Sequence, residues 1–243
     1  MLEAAGFVLA GGRSRRMGAE KAQVLLRGEP LLAHALRTLR QAGELLCGNA
    51  SDASSPSSPS ELTARAGEDS TLPKAGLFPL SIAGARVPLE GFAPVVADAE
   101  ADRGPLGGIC AALAATEARR AVFLPVDLPL LPASLVAYLL VESMRREAAV
   151  TVASLKGFAQ TFPAVVERTA LPLLRAELEA GRGGCYKAFQ AAAAGLGRPL
   201  LLLPVEEALE QGRVVHRAGL ALESWFLNVN EPGDLARAEA CLR

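Results

Sequence analysis

Four cationic side chains, Arg13, Arg15, Arg16 and Lys21, fall within nine positions of a segment that also holds Gly11, Gly12 and Gly18. Charge at that density neutralises a polyphosphate. The glycines let the backbone turn sharply and aim N–H groups at phosphate oxygens with no Cβ in the way. A triphosphate is the ligand this chemistry suits; the alternative is a tight strand-to-helix turn in a solvated basic loop. The segment is neither G-x-x-x-x-G-K-[ST] nor G-x-G-x-x-G, so the common phosphate-loop and dinucleotide fingerprints do not describe it. A second chemical group is Asp127, which ends the apolar run Ala121-Val-Phe-Leu-Pro-Val126. A strand there delivers one carboxylate to its carboxyl end, where open α/β sheets place ligands. Alone, such an aspartate before a turn is more often a helix cap. Beside a basic triphosphate loop it is a Mg²⁺ ligand, a hard oxygen donor next to phosphate oxygens.

These groups need a scaffold, and the sequence outlines one. Phe7 to Ala10 are apolar without alternation, as in a strand covered on both faces. Pro30 opens a helix with Leu31, Leu32, Ala35, Leu36 and Leu39 on one side and Arg37, Arg40 and Gln41 on the other. A short strand is expected over Leu45 to Cys47, ending near Asn49. From Ser51 the composition becomes Ser/Pro-rich, and positions 51 to about 91 read as an insertion in an inter-strand connection, with order resuming at Pro94-Val-Val-Ala-Asp98. Gly104-Pro-Leu-Gly-Gly108 follows, a turn preorganised by proline whose small residues, Gly104 first, let a ligand approach a helix start. Helices are expected over 134–146, 171–180 and 186–194, strands over 148–155, 160–166 and 200–205, and a last helix after Pro232. Arg182 is either a contact for an anionic substrate or a partner of the preceding helix dipole. Alternation of strands and helices, with ligand-type residues at strand ends, predicts a three-layer α/β/α sandwich with a mostly parallel sheet of Rossmann-like character. The chain of 243 residues is expected to be one such domain interrupted at 51–91.

Composition excludes other classes. With 25 basic against 26 acidic side chains, nothing indicates a nucleic-acid-coating protein or a polybasic membrane binder. No apolar run reaches the roughly 20 residues of a membrane span, and the start lacks a basic region followed by a cleavable apolar one. A soluble cytoplasmic protein is expected, with no nucleic-acid and no membrane partner. Cys47, Cys110, Cys185 and Cys241 are too dispersed for a zinc site or a disulfide framework. His34 and His216 lack an evident nucleophile partner and are assigned no chemistry.

The loop Leu9-Ala-Gly-Gly-Arg-Ser-Arg-Arg-Met-Gly-Ala-Glu-Lys21 resembles the signature L-A-G-G-x-S-x-R-M-G-x-D-K of the MobA-like nucleotidyltransferases, most closely the molybdenum cofactor guanylyltransferases, with Glu20 in place of Asp. Three further stretches are similar to that family: Asp98 with Gly104-Pro-Leu-Gly-Gly108, Asp127-Leu-Pro129, and Phe226-Leu-Asn228-Val-Asn230-Glu-Pro-Gly-Asp234-Leu, where Glu231 replaces the usual Thr or Ser. The resemblance spans roughly 1–50 and 92–243. It implies transfer of GMP from GTP to the terminal phosphate of molybdenum-molybdopterin, with Mg²⁺ as cofactor. It also implies that Leu9, Ala10, Gly11 and Gly12 meet the base and ribose with Asp98 and Gly104, and that Arg13, Arg16 and Lys21 meet phosphates. Asn49 stands nearest the family's nucleotide-contacting Asn, or is a plain turn residue. Asn228 and Asn230 can hydrogen-bond a pterin or water on Mg²⁺; alternatively, Asn230 caps the last helix. The cytidylyl branch, which has Ala-Ala-Gly in the first loop, and a non-catalytic nucleotide-binding regulator are the alternatives. Transient contact with molybdoenzyme-specific chaperones follows from family analogy alone.

Overall fold

The computed structural model describes residues 3–11, 20–48, 79–84, 92–96, 103–181 and 184–243. Gly12, Arg13, Arg16, Asn49 and Asp98, like Arg182 and most of the Ser/Pro-rich stretch, lie outside the described residues.

Strand β1 (Ala4–Leu9) shows why an unalternating apolar run becomes a central strand. Ala5, Phe7 and Leu9 enter one core cluster, whereas Ala4 and Val8 enter another on the opposite face. Successive side chains of a strand point to opposite faces, so a run apolar at every position needs cover on both. β6 (Arg120–Pro125) divides the same way, Ala121 and Phe123 to one face and Val122 and Leu124 to the other. Phe7 and Phe123 sit directly opposite in the β1–β6 register, with ring centroids 5.6 Å apart and the rings stacked. A cross-strand aromatic pair of this kind contributes roughly 0.5–1.5 kcal/mol beyond its buried area.

The seven-stranded sheet has the order β5-β4-β1-β6-β8-β7-β9, where β4 is Leu80–Ala83, β5 Val95–Val96, β7 Val150–Leu155, β8 Phe158–Glu167 and β9 Leu200–Pro204. Only β8 runs against the rest, pairing antiparallel with β6 and β7, while the other four pairings are parallel. The mostly parallel sheet expected from the alternating pattern is present. A two-stranded ribbon, β2 (Leu25–Leu26) with β3 (Glu29–Pro30), stands apart from it.

Helix α1 (Leu31–Gly48) and helix α3 (Ala133–Arg145) cover one face, their buried leucines Leu32, Leu39, Leu135 and Leu139 sharing a cluster with Val8 and Leu124. Helices α2 (Gly104–Ala115), α4 (Leu171–Glu179) and α5 (Cys185–Gly195) cover the other through Ile109, Leu113, Leu174 and Phe189. The layers are therefore helix, sheet, helix. Short helices α6 (Val205–Glu210) and α7 (Leu222–Trp225) precede the last one, α8 (Pro232–Cys241).

Two local expectations are corrected. Leu45 to Cys47 is not a strand but the last turns of α1. A short apolar run fits either element, and continuation of the helical apolar stripe decides it. β4 lies inside the stretch read as an insertion and occupies a place beside β1 in the sheet, so the ordered core resumes by Leu80 and not at Pro94.

At the amino ends of the strands, a buried charge network joins β6 to its neighbours. The Arg120 guanidinium is only 1% exposed and bonds the Ser143 hydroxyl and carbonyl at 3.3 and 3.4 Å. Burial holds its pKa below the ordinary arginine value. Glu167, directly opposite on β8, accepts from Arg119 at 3.4 Å and from Arg198. Removing the buried Glu167 would cost Arg119 and Arg198 the acceptor they share.

Candidate active site

The opposite edge carries the chemistry. β1 leads toward β4 on one side, whereas β6 lies on its other side, so the strand order reverses between β1 and β6. Ligands of open α/β sheets bind outside the carboxyl ends of the strands at such a switch. The exits of the two strands are fixed there by backbone bonds: Val126 N–H donates to the Leu9 carbonyl at 3.2 Å, and Ala10 N–H to the Ala83 carbonyl at 3.0 Å. Leu9 and Ala10 are both buried, so their side chains anchor the start of the loop in the core. Gly11 follows under a steric constraint: a Cβ there would stand 2.7 Å from the carbonyl oxygen of Gly84. Only glycine lets the ends of β1 and β4 come this close.

Lys21 opens a single 3₁₀ turn, Lys21–Gln23, held by the buried Ala22. Its Nζ lies 2.8 Å from Oδ2 of Asp127, at the exit of β6. The same Nζ donates to Oδ1 of Asn230. The Lys21 side chain is 14% exposed and that of Asp127 22%, so the pair is largely removed from water. Attraction between the two charges is stronger there than on an open surface. The sequence singled out these three residues for separate duties, and the structure brings them to one point. Asp127 is not a helix cap, since the N-cap of the following α3 is Pro132.

The C-terminal segment is secured from two directions. Val229 N–H donates to the Asp127 carbonyl at 2.9 Å, and Val229 and Trp225 are buried in the core beneath. Asp234, in the first turn of α8, accepts the backbone N–H groups of Asn230 and Glu231 through Oδ2 at 2.9 and 3.1 Å, while Arg237 bonds its Oδ1. The Asn230 N–H first, then Arg237 and the Glu231 N–H, hold the Asp234 carboxyl below its ordinary pKa. Sequence reasoning placed Asn230 as a possible cap of this helix; the N-cap is Glu231. The side chain of Asn230 is thereby left to Lys21. The clamping role of Asp234 was missed, although an acid three residues after the N-cap is a helix-start signal. Asn228 is exposed two residues before Asn230.

Gly104 opens α2 at φ +67°, a left-handed conformation that favours glycine, with Pro105 in the first turn. Because β5 runs parallel to β4 and β1, the amino end of α2 follows the ligand-bearing edge of the sheet, as an anion-friendly helix terminus must.

No cluster of three or more His, Cys, Asp or Glu that would cage a metal exists among the described residues. Asp127 with the Asn230 amide oxygen nearby instead suits a cation that takes one or two protein oxygens and fills its remaining positions with water and phosphate, which is how Mg²⁺ is held. No described helix is long and apolar enough to cross a membrane.

Comparison with known proteins gives these features a context. Residues 6–196 match the family model of the MobA-like NTP transferase domain. A molybdenum cofactor guanylyltransferase of Rhizobium leguminosarum bv. trifolii is 30% identical over 99% of this chain and 93% of its own length. Another, from Xanthomonas euvesicatoria pv. vesicatoria, is 34% identical over 58% of this chain, and the match spans 56% of that relative. Among solved structures, molybdopterin-guanine dinucleotide biosynthesis protein A of Archaeoglobus fulgidus shares the fold with a TM-score of 0.63 at 19% identity, covering 97% of both chains. The 2-C-methyl-D-erythritol 4-phosphate cytidylyltransferase of Thermus thermophilus has a TM-score of 0.58 at 15% identity over 96% of each chain. Rv0371c of Mycobacterium tuberculosis, solved as a complex with manganese, has a TM-score of 0.55 at 17% identity over 98% of each.

Proposed function

Since the chain belongs to the MobA-like NTP transferase family, we propose that it transfers GMP from GTP to the terminal phosphate of molybdenum-molybdopterin, releasing pyrophosphate and forming the guanine dinucleotide cofactor. The observation that carries this reading is the convergence of Lys21, Asp127 and Asn230 at the switch point of the sheet. One cation and one carboxylate, held together and mostly out of water, are a resting arrangement in which each charge neutralises the other until a charged ligand replaces it.

The attacking group is already an anionic phosphate oxygen, so no protein base or covalent intermediate is needed. Catalysis is then positioning and charge neutralisation during in-line displacement at the α-phosphorus. Lys21 exchanges Asp127 for phosphate oxygens and stabilises the charge that accumulates on departing pyrophosphate, assisted by Arg13 and Arg16 of the loop. Asp127 would hold Mg²⁺, which when bound polarises the phosphoryl oxygens. Asn230, kept in place by Asp234 and by the backbone bond of Val229, orients Lys21 and with Asn228 faces the pterin side. Leu9, Ala10, Gly11 and Gly12, with Asp98, Gly104 and Asn49, are assigned to the nucleoside. The reading includes a cytoplasmic setting and, by family analogy alone, hand-over of the product to molybdoenzyme-specific chaperones.

The test is direct. Purified protein is mixed with molybdenum-molybdopterin, Mg²⁺ and GTP labelled at the α-phosphorus, with CTP in a parallel reaction. Label entering the pterin product from GTP, with pyrophosphate released, is expected. Transfer from CTP alone moves the chain to the cytidylyl branch, and transfer from neither leaves a nucleotide-binding protein without this chemistry.

A further inference from the structure

A cavity of about 330 Å³ lies away from the Lys21 pair, between α1, α3, the Pro129–Pro132 turn and the loop at 212–217. Its floor is apolar, made by Leu46, Leu130, Leu131, Pro132 and Ala137. The walls are built, not merely adjacent. The Ser134 hydroxyl donates to the Val215 carbonyl at 2.6 Å and accepts the Val215 N–H at 3.0 Å. His216 completes the brace: Nε2–H donates to the Leu130 carbonyl at 3.0 Å, and Nδ1 accepts the Ala218 N–H at 3.2 Å.

The charge of the rim has one sign. Arg37, Arg213 and Arg217 line the cavity with His34 and His216, and no Asp or Glu is among its described lining residues. Arg37 is matched by Glu29 behind it. Arg213 stands 3.7 Å from Glu142, a carboxylate already shared by Arg145 and Arg146, so three guanidinium groups meet one acid. Arg217 is exposed and has no carboxylate partner among the described residues. An apolar floor with a few convergent polar groups, at the lower end of the range of about 300–1,000 Å³, is the form of a small-molecule site. Excess positive charge at its mouth selects the sign of the ligand.

We propose that this cavity binds a small amphipathic organic anion, with its apolar body against Leu130, Leu131 and Ala137 and its anionic head at Arg217 and Arg213. The head is a carboxylate or a phosphate ester, both of which these guanidinium groups pair with.

The probe is 1-anilinonaphthalene-8-sulfonate, an aromatic anion whose fluorescence rises in apolar surroundings, titrated into the full chain at low salt. Saturable binding at one site per chain is expected. Arg217→Glu, at an exposed position, weakens it roughly tenfold, the order expected when an attractive charge becomes repulsive. Val141→Trp, on the 41%-exposed lining residue Val141, narrows the cavity and weakens binding without altering the floor. Lys21→Ala binds the probe as the parent does, and GTP with Mg²⁺ does not displace it, so failure of the nucleotide reading leaves this test intact. Phenylacetate and phenyl phosphate are then offered as competitors, and the stronger identifies the natural head group. Absence of saturable binding, insensitivity to both cavity variants, displacement by GTP, or competition by neither compound would each overturn the proposal.

Discussion

Lys21 is a compact point charge with three donors, and it touches two different acceptors at once, the Asp127 carboxylate and the Asn230 amide oxygen. A charge acting on a developing negative centre in a site largely removed from water is worth more than in bulk water. Lys21→Ala should therefore lower kcat on the order of 10²–10³-fold, and Asp127→Ala should do at least as much. Lys21→Arg separates charge from shape: its planar fork keeps the positive charge but cannot reproduce one nitrogen placed between both acceptors. We expect Lys21→Arg to restore KM for GTP and not kcat; equal recovery of both would reduce Lys21 to an ordinary counter-charge. His216 tests a different residue-scale property. Its two hydrogen bonds require the neutral ring with the proton on Nε2, and burial, acting against the bond to Leu130, depresses its pKa below the ordinary value. The unfolded chain thus binds the extra proton first as pH falls. Stability from this group is complete above about pH 6.5 and is lost as pH drops toward the folded-state pKa. Urea unfolding across pH 5 to 8 should show that decline, and His216→Gln should flatten it.

At the scale of elements, the site is held by a helix start and two strand exits. Helix α8 contributes no reacting group; its Asp234 takes the backbone N–H of Asn230 and so decides where the amide that receives Lys21 stands. Asp234→Ala frees that segment. Because displacement of a positioning group by about 1 Å can cost 10²-fold in rate, kcat should fall on that order while the isolated far-UV helix signal changes little. Asp234→Asn, which keeps one acceptor oxygen for the two N–H donors, should recover part of the rate. Rates at parent level in both variants would show that α8 positions nothing. This element also marks how far sequence reaches. β1 and β6 are legible because unbroken apolar runs have few other uses, and Lys21, Asp127 and Asn230 are legible by type and motif. Their meeting is not, since 106 and 209 residues of chain separate Lys21 from its two partners. Spacing along the chain encodes a helix face or a strand face, but no distant neighbour. Leu45 to Cys47 were misread because three apolar residues fit a strand or a helix turn alike. β4 was not separated from the stretch read as an insertion because its four residues sit among scattered apolar residues and prolines and take their stability from pairing with β1, a long-range contact.

At the scale of the whole molecule, side chains from both halves of the chain meet at one point, and in the proposed function one ligand joins them. Lys21 belongs to the first strand-to-helix connection, Asp127 to the exit of β6 and Asn230 to the C-terminal segment, so under the proposed function a nucleotide at the switch point meets the Lys21–Asp127 pair while Asn230 holds the lysine from the other half. A ligand that binds only the folded state stabilises it by about 2.7 kcal/mol when present at 100 times its Kd. For a domain of this size each kcal/mol moves Tm by about 2–4 °C. GTP with Mg²⁺ should then raise Tm by roughly 5–10 °C at that concentration. Lys21→Ala should erase most of the shift while altering the ligand-free Tm by only a few degrees at most, because the Asp127 carboxylate, still 22% exposed, can take up water once the lysine is gone. The contrast matters more than either number. A variant that lost the shift and also melted far lower would mean that the Lys21 pair is a structural tie between the halves, and that the switch point was built for stability before it was built for GTP.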